Sequence, residues 1–133
     1  MNIVYFGNAD FGLPTLDKLS LSDHNLTHIV TNEDQIKSSR GKSKSTPIKE
    51  WAIKNDVSVI EIDNLHDLSF LQKLKSINAD IFIVIAYKVI PKELYSIPIY
   101  GAMNLHASLL PKYRGAAPIQ RALLSGDNKT GVS

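Results

Sequence analysis

The chain has 133 residues, a length that fits one domain, and its 44% apolar content is enough for one sizeable core. The net charge is only +2, so the chain as a whole is not strongly attracted to nucleic acid. With no cysteine, disulfides and thiolate metal sites are excluded. There is no signal-peptide pattern and no run of the roughly 18 apolar residues that a membrane span needs, so we expect a cytoplasmic protein with no membrane partner.

The first half of the chain alternates short apolar runs with segments whose leucines recur at helical spacing. Asp10 is a candidate N-cap for the first helix, with Pro14 tolerated in its first turn. Thr46 and Pro47 are a typical cap and first helical position for the second helix. The expected elements are a strand at Asn2–Phe6, a helix through Leu13, Leu16 and Leu19, a strand at Thr27–Thr31, a polar loop over 32–45, a helix from Pro47 and a strand at Val57–Ile62.

The second half continues the alternation. Ile81–Ala86 (IFIVIA) is uninterrupted and rich in β-branched residues, as in a central parallel strand that is buried on both faces. The other expected elements are a helix marked by Leu68, Leu71 and Leu74, a short helix from Pro91, a strand at Gly101–His106, a helix from about Ala117 to Ser125 that stops at Gly126, and the start of a further strand at Gly131–Ser133.

Five alternations of strand and helix predict an α/β fold. We expect a three-layer, doubly wound and mostly parallel sheet, Rossmann-like in outline and incomplete at its C-terminal end. In such folds the ligand lies at the carboxyl ends of the strands. An unfinished sheet would also expose an unpaired strand edge, through which the chain could self-associate.

The segment GNADFG follows the first strand, at a place where phosphates often bind. Gly7 and Gly12 do not have the G-x-G-x-x-G spacing of dinucleotide-binding folds, and no P-loop Lys-Ser/Thr follows Gly12. The spacing favours a tight strand-to-helix turn over a turn that lines a ligand.

The loop KSSRGKSK, from Lys37 to Lys44, carries four positive charges and no acidic residue. Such a loop is either a solvated surface segment or a contact for a phosphate backbone, where each neutralised phosphate releases counterions. Charge alone does not decide between the two.

The stretch NLHASLLPKYRGAAP holds the strongest candidate for chemistry. Residues two apart in a strand point to one face, so we expect Asn104 and His106 side by side at a strand's carboxyl end. An amide can stabilise a developing oxyanion and an imidazole moves protons near neutral pH, which together suit acyl-type transfer to an amine. A strand-end histidine can equally be a hydrogen-bonded structural residue. His24, His28 and His66 lack a carboxylate at metal-ligand spacing, so no metal is expected.

NLHASLLPKYRGAAPIQRALLSGD resembles the formyltransferases that use 10-formyltetrahydrofolate, and within them the branch that acts on methionyl-tRNA. The resemblance also runs through IVYFGNADFGLPTL, SRGKSKSTPIKEWA and ADIFIVIAYKVIPKEL, and so covers essentially the whole chain. NLHxSLLPxYRG is the superfamily signature, while GAAPIQRA and the basic loop select the tRNA branch. The resemblance implies formyl transfer from 10-formyltetrahydrofolate to the α-amine of initiator methionyl-tRNA, in translation initiation.

The resemblance also implies roles for the matching residues. Asn104 would hold the formyl oxygen, and His106 would assist proton transfer or stabilise the oxyanion. The folate pocket would be formed by Ser108, Leu109, Leu110 and Pro111, with Ala86, Tyr87, Val89 and Ile90 packed beside the pterin. Arg40, Lys42 and Lys44 would contact the acceptor stem of the tRNA. The aminoacyl group would lie beside Arg114, Gly115 and Ala116.

Three features depart from the family pattern. Lys88 stands where relatives often have a glycine and would put a long charged side chain beside the folate pocket. The segment GNADFG lacks the Thr-Pro that relatives usually have after the glycine, so we expect a local change in that turn. The family's catalytic aspartate follows the strand that Gly131 begins and is absent here, while Asp127 lies too early to replace it. We therefore expect residues 1–133 to be a partial N-terminal catalytic domain, inactive alone and without the family's C-terminal tRNA-binding barrel.

Two other functions stay open at this point. A sugar-nucleotide N-formyltransferase shares the Asn, His and SLLP pattern, but usually lacks the basic loop and the AAPIQ continuation. A non-catalytic Rossmann-type nucleotide-binding domain is the second alternative, and the missing G-x-G-x-x-G spacing argues against it.

Overall fold

A computed structural model describes residues 1–36 and 43–133, which form two compact units, Met1–Met103 and Asn104–Ser133. No helix in these described ranges is both long enough and apolar enough to cross a bilayer. The elements in chain order are β1 Asn2–Gly7, α1 Leu13–Ser20, β2 Asn25–Thr31, β3 Gln35–Ile36, β4 Ser43–Lys44, α2 Pro47–Lys54, β5 Ser58–Glu61, α3 Leu68–Ser76, β6 Ile81–Ile85, α4 Lys92–Tyr95, β7 Ala102–Leu105 and α5 Pro118–Leu124.

The main sheet has the strand order β5-β2-β1-β6-β7, and β3 and β4 form a separate antiparallel ribbon. β1 pairs in parallel with both β2 and β6, and β2 pairs in parallel with β5. The chain therefore begins in the middle of the sheet, builds outward through β2 and β5, and then crosses to β6 on the other side of β1. This reversal confirms the predicted doubly wound, Rossmann-like fold, in which the crevice between β1 and β6 is the usual place for a ligand.

The core of the first unit lies on both faces of β1. Val4 and Phe6 face one way and pack in a buried cluster with Phe70 and Leu74 of α3. The alternate residue Tyr5 faces the other way, beside the turn that leads into α1. Each fully buried large apolar side chain contributes about 1.5–3 kcal/mol. β6 is buried from Phe82 to Ile85, which confirms the predicted buried strand, although it ends one residue before the predicted Ala86.

The helix starts follow the capping residues only in part. Thr46 caps α2 as predicted, since the Lys49 backbone N–H donates to Thr46 Oγ1 at 3.1 Å. Asp67 caps α3 in the same way through Phe70. The prediction that Asp10 caps α1 is wrong, because Asp10–Gly12 forms a separate 3-10 turn and Gly12 becomes the N-cap without a side-chain bond.

The strand limits also differ from the apolar runs. β5 and β7 are each one residue shorter at both ends than predicted. In the sheet as described, β5 and β7 are the outermost strands, and Ala102 to Asn104 of β7 are exposed. Self-association through such an edge stays a prediction.

Tyr5 explains why the turn GNADFG needs its two glycines. A Cβ on Gly12 would overlap the Tyr5 hydroxyl, and a Cβ on Gly7 would lie 2.6 Å from the Tyr5 ring. The hydroxyl is buried and has no hydrogen-bond partner among the described residues. Burial raises the pKa of this hydroxyl well above its usual range. The contacts agree with a tight turn packed on a core side chain.

We expect Gly12→Ala to lower the free energy of unfolding by about 1–3 kcal/mol, because the new methyl group overlaps Tyr5. Tyr5→Phe alone should be neutral or stabilise the chain by up to about 1 kcal/mol, since it removes an unpaired buried hydroxyl. Urea unfolding of both variants and the double variant measures the coupling. The double variant should recover part of the loss, and an equal Gly12→Ala loss in both backgrounds would contradict the overlap.

Candidate active site

His106 follows β7 and is half-buried in the second unit. Its backbone exchanges two hydrogen bonds with Ser133, of 2.8 and 2.9 Å, as in an antiparallel pair. Nε2 of the imidazole lies 2.9 Å from the backbone oxygen of Tyr113. Because a backbone oxygen only accepts, Nε2 must carry the hydrogen, and in the neutral ring Nδ1 is then the acceptor.

Tyr113 is held at its side chain as well as at its backbone. Its φ of +56° lies in the left-handed region, which is unusual for a bulky residue. The hydroxyl donates to Asp127 Oδ2 at 2.8 Å, and the Arg121 guanidinium lies 5.6 Å from the ring centroid. Lys112 Nζ makes an ion pair of 3.1 Å with the same carboxylate oxygen. The hydrogen bond from Tyr113, together with that from Lys112, lowers the pKa of Asp127.

The SLLP segment forms a tight turn in the same unit. Ser108 is fully buried, and its hydroxyl donates to the Lys112 backbone oxygen at 2.7 Å. Ser133 Oγ donates to the Ser108 carbonyl at 2.9 Å and accepts from the Leu110 backbone N–H at 3.2 Å. Leu109 and Leu110 remain exposed. The internal bonds fix the turn while its two leucines stay available.

An open cleft of about 360 Å³ lies against this turn. Its surface is largely apolar, and its charged groups are Lys112, Asp127 and Lys129. The lining residues are Leu109, Leu110, Pro111, Lys112, Tyr113, Asp127, Lys129 and Thr130.

Asn104 lies on β7 and is exposed, and its amide bonds to none of the described residues. Arg114, Gly115 and Ala116 are also exposed, in the loop before α5. Gly115 has φ +90°, which a glycine adopts without strain. Whether Asn104 and His106 share one face stays a prediction, since β7 ends at Leu105.

The predicted pterin contacts belong to the first unit and differ among themselves. Tyr87 is half-buried, with its ring 5.7 Å from that of Phe6, and Ile90 packs against the same core. Ala86, at φ +50°, and Val89 are exposed. Tyr87 and Ile90 thus pack against the core, whereas Ala86 and Val89 are open to solvent.

Lys88 turns toward the end of β5. Its ammonium group donates to the Asp63 backbone oxygen at 2.8 Å and lies 3.3 Å from the Asp63 carboxylate. The ammonium group of Lys88 is thus held by Asp63.

The tRNA-contact predictions fall largely outside the described residues. Arg40 and Lys42 are not among them, and Lys44 is described only by its backbone, which pairs with Gln35 in the β3–β4 ribbon. Beside the ribbon, Lys49 forms ion pairs of 2.8 Å with Asp34 and 2.7 Å with Glu61. The hydrogen bonds to Asp34 and Glu61 raise the pKa of Lys49.

In the two described ranges, no three His, Cys, Asp or Glu side chains converge as metal ligands do. The absence of a metal stays a prediction.

A family model described as formyl transferase matches residues 1–133. The chain belongs to the formyl transferase family. It is 38% identical to a methionyl-tRNA formyltransferase of Fusobacterium nucleatum, over 100% of this chain and 43% of that protein. It is 40% identical to one of Clostridioides difficile, with the same coverage, and 42% identical to one of Prochlorococcus marinus, over 99% of this chain and 40% of that protein. The chain thus spans less than half the length of these curated relatives.

Solved structures show the same formyl transferase fold. Glycinamide ribonucleotide transformylase 1 from Geobacillus kaustophilus matches with a TM-score of 0.77 and 20% identity, over 98% of this chain and 71% of that chain. A formyltetrahydrofolate deformylase from Pseudomonas syringae matches with a TM-score of 0.74 and 17% identity, over 98% and 43%. At such identities the likeness concerns the fold alone.

The residues that support His106 are not evident from the sequence. Tyr113 stands in the quoted family signature, but its contact with His106 is made by a backbone oxygen, which no residue type reveals. Asp127, which lies too early in the sequence to be the family's catalytic aspartate, contacts Tyr113 and Lys112 instead.

We expect Asp127→Asn to weaken stability at neutral pH and to remove part of its acid dependence. Because the folded-state pKa of Asp127 is lowered, its contribution is present above the unfolded carboxyl pKa of about 3.9 and is lost as the pH falls through the folded value. Urea unfolding from roughly pH 7 to pH 2 should show the parent and variant curves converging in acid.

The exposed Asp23 supplies the matched control, since it makes no ion pair among the described residues. Asp23→Asn should leave the pH dependence almost unchanged. An offset between parent and Asp127→Asn that stays constant with pH would be inconsistent with the assigned bonds.

Proposed function

We propose that this chain provides part of an enzyme that transfers a formyl group from 10-formyltetrahydrofolate to the α-amine of methionyl-tRNA. Three relatives of this activity, at 38–42% identity, match 99–100% of the chain and support this substrate pair. The observation that carries the chemistry is the His106–Tyr113 hydrogen bond, because it makes Nδ1 a proton acceptor. We further propose that residues 1–133 are the N-terminal part of one catalytic domain and that the enzyme acts in the cytoplasm.

The reaction needs charge stabilisation more than it needs a nucleophilic side chain. The neutral α-amine forms a bond to the formyl carbon, and negative charge gathers on the formyl oxygen. We assign the Asn104 amide, which is exposed, as a donor to that oxygen. The bond from the formyl carbon to the folate nitrogen then breaks, and that nitrogen takes up a proton. No Ser or Cys nucleophile is required.

His106 is suited to the proton transfer. With Nε2–H donating to Tyr113, the Nδ1 lone pair can take the proton that the attacking amine loses. The imidazolium formed keeps its bond to the carbonyl and becomes a donor at both nitrogens. The same side chain can then stabilise the oxyanion or return the proton to the leaving nitrogen.

The open cleft in the second unit supports a folate site. Leu109, Leu110 and Pro111 give it an apolar wall, which suits a flat heteroaromatic ring. The buried Ser108 holds the turn that carries this wall. In the first unit, we propose that exposed Val89 and the neighbouring Ala86, Tyr87 and Ile90 contribute contacts to the pterin.

The acceptor would be recognised by positive charge and by the loop before α5. We propose that Arg40, Lys42 and Lys44 contact phosphates of the acceptor stem. Exposed Arg114, Gly115 and Ala116 are proposed to lie beside the aminoacyl group, and Arg121 holds their loop through a 2.8 Å bond to the Arg114 carbonyl.

In the complete enzyme of which we propose this chain is a part, Asn104→Ala should lower turnover about 100- to 1,000-fold. His106→Ala should lower it about 100- to 10,000-fold. Folate affinity should change only a few-fold, because both groups act on charge that develops in the transition state. Single-turnover formyl transfer and equilibrium folate binding separate the two effects. Full activity in either variant would be fatal to the role assigned to that residue.

The matched controls are Asn55→Ala and His24→Ala, both at exposed positions that belong neither to the cleft nor to the proposed pterin contacts. Their turnover should equal that of the parent.

The acceptor is tested by supplying methionyl-tRNA or an amino-sugar nucleotide with the same donor. Turnover on the sugar alone would replace the proposed substrate, and binding of NAD without binding of folate would favour a nucleotide-binding domain instead.

Replacing Arg40, Lys42 and Lys44 together with Ala should weaken tRNA binding and flatten its salt dependence by up to about 2–3 units of log Kd against log salt. The reason is that up to three phosphate contacts, with their released counterions, are lost. The control Lys18→Ala/Lys54→Ala/Lys75→Ala removes the same charge from exposed helix positions. If both triple variants show the parent's slope, the loop is a solvated segment.

A further inference from the structure

A continuous set of contacts in the second unit runs from Asp127 through Tyr113 to His106. We propose that Asp127 and Tyr113 are positioning residues that keep His106 in the Nε2–H tautomer, so that Nδ1 stays the proton acceptor. The value of this tautomer for catalysis rests on the proposed formyl transfer, whereas the tautomer itself can be measured without any substrate.

The first step is the acceptor at Nε2. The Tyr113 carbonyl lies 2.9 Å from Nε2 and has no hydrogen to donate, so the bond exists only when Nε2 is protonated. The tautomer with hydrogen on Nδ1 would set two lone pairs against each other at this distance. The position of one backbone oxygen therefore decides which ring nitrogen takes up a proton.

The second step is what holds that oxygen in place. Tyr113 has a left-handed backbone, so its carbonyl direction depends on a conformation that a tyrosine rarely adopts. Its hydroxyl is bonded to Asp127 at 2.8 Å, and its ring lies under the Arg121 guanidinium. Arg121 also bonds the next carbonyl, that of Arg114. Both the side chain and the following peptide are thus fixed.

The third step is what holds Asp127. It follows the α5 stop at Gly126, and its backbone N–H donates to the Ala122 carbonyl at 3.2 Å. Ala122 is buried, so this end of α5 is anchored. The carboxylate is only 24% exposed and is shared by the Tyr113 hydroxyl and the Lys112 ammonium. The position of the Asp127 carboxylate is therefore well defined, and it orients Tyr113 through the hydrogen bond from the Tyr113 hydroxyl.

The contacts also separate two effects at the carboxylate. Tyr113→Phe removes the hydroxyl and leaves the Lys112–Asp127 ion pair. Lys112→Gln removes the ion pair and leaves the Tyr113–Asp127 bond. A purely structural role for this turn would make both variants similar, whereas a positioning role through Tyr113 would make them different.

The test is nitrogen-15 NMR of the imidazoles in the 133-residue chain, at about pH 8, where an ordinary histidine is largely neutral. The two ring nitrogens of His106, assigned with His106→Gln, should show one well-separated protonated and one unprotonated signal, with the proton on Nε2. In Tyr113→Phe and in Asp127→Ala the two shifts should move toward each other, because both tautomers become populated. In Lys112→Gln they should stay at the parent values.

His24 serves as an internal reference in every spectrum, since it is exposed and distant in sequence. Amide spectra show whether each variant is folded, and Tyr113→Phe decides the question if Asp127→Ala does not fold. Unchanged His106 shifts in folded Tyr113→Phe would overturn the proposal, as would a parent spectrum with the proton on Nδ1. Either result leaves the formyl-transfer assays unaffected, and a failed assay leaves the tautomer result standing.

Discussion

The structure of the first unit depends on β1 being paired and covered on every side. β1 bonds in parallel to β2 and to β6, and its residues from Ile3 to Gly7 are buried. A strand with no exposed face must be apolar along its length, which is why IVYF stands near the start of the chain. The glycines at its exit are then required by Tyr5, which fills the space that their side chains would occupy.

The second unit is organised differently, around bonds to backbone oxygens. His106, Ser108 and Arg121 each donate from the side chain to a carbonyl of the chain between Lys112 and Arg114. Such bonds fix a short irregular segment without a large core, because each satisfies a polar group that the turn leaves unpaired. Among the described residues, the imidazole of His106 is therefore oriented by a main-chain oxygen, whereas in a catalytic triad a carboxylate has this role.

Membership of the formyl transferase family and the proposed activity rest on different observations. The family follows from a match over residues 1–133. The substrate pair draws on relatives of which this chain covers 40–43%, and on groups in the second unit that suit amine formylation. Solved structures of the same fold include a glycinamide ribonucleotide transformylase and a formyltetrahydrofolate deformylase, so the fold by itself does not determine the acceptor.

The sequence by itself determined the order of the five main-sheet strands and of the helices, the buried strand Ile81–Ile85, the cap at Thr46 and the family, because these depend on local patterns of apolar, capping and turn residues. It did not determine the β3–β4 ribbon, which lies in the segment expected to be a polar loop. It also did not determine the start of α1, where Asp10–Gly12 forms a 3-10 turn and Gly12, which lies against Tyr5, is the N-cap. Only the tertiary structure decided that the oxygen of Tyr113 faces His106 and that Asp127 holds Tyr113. Every residue has the same backbone oxygen, so the position of that oxygen depends on the folded path of the chain and cannot be read from the residue types.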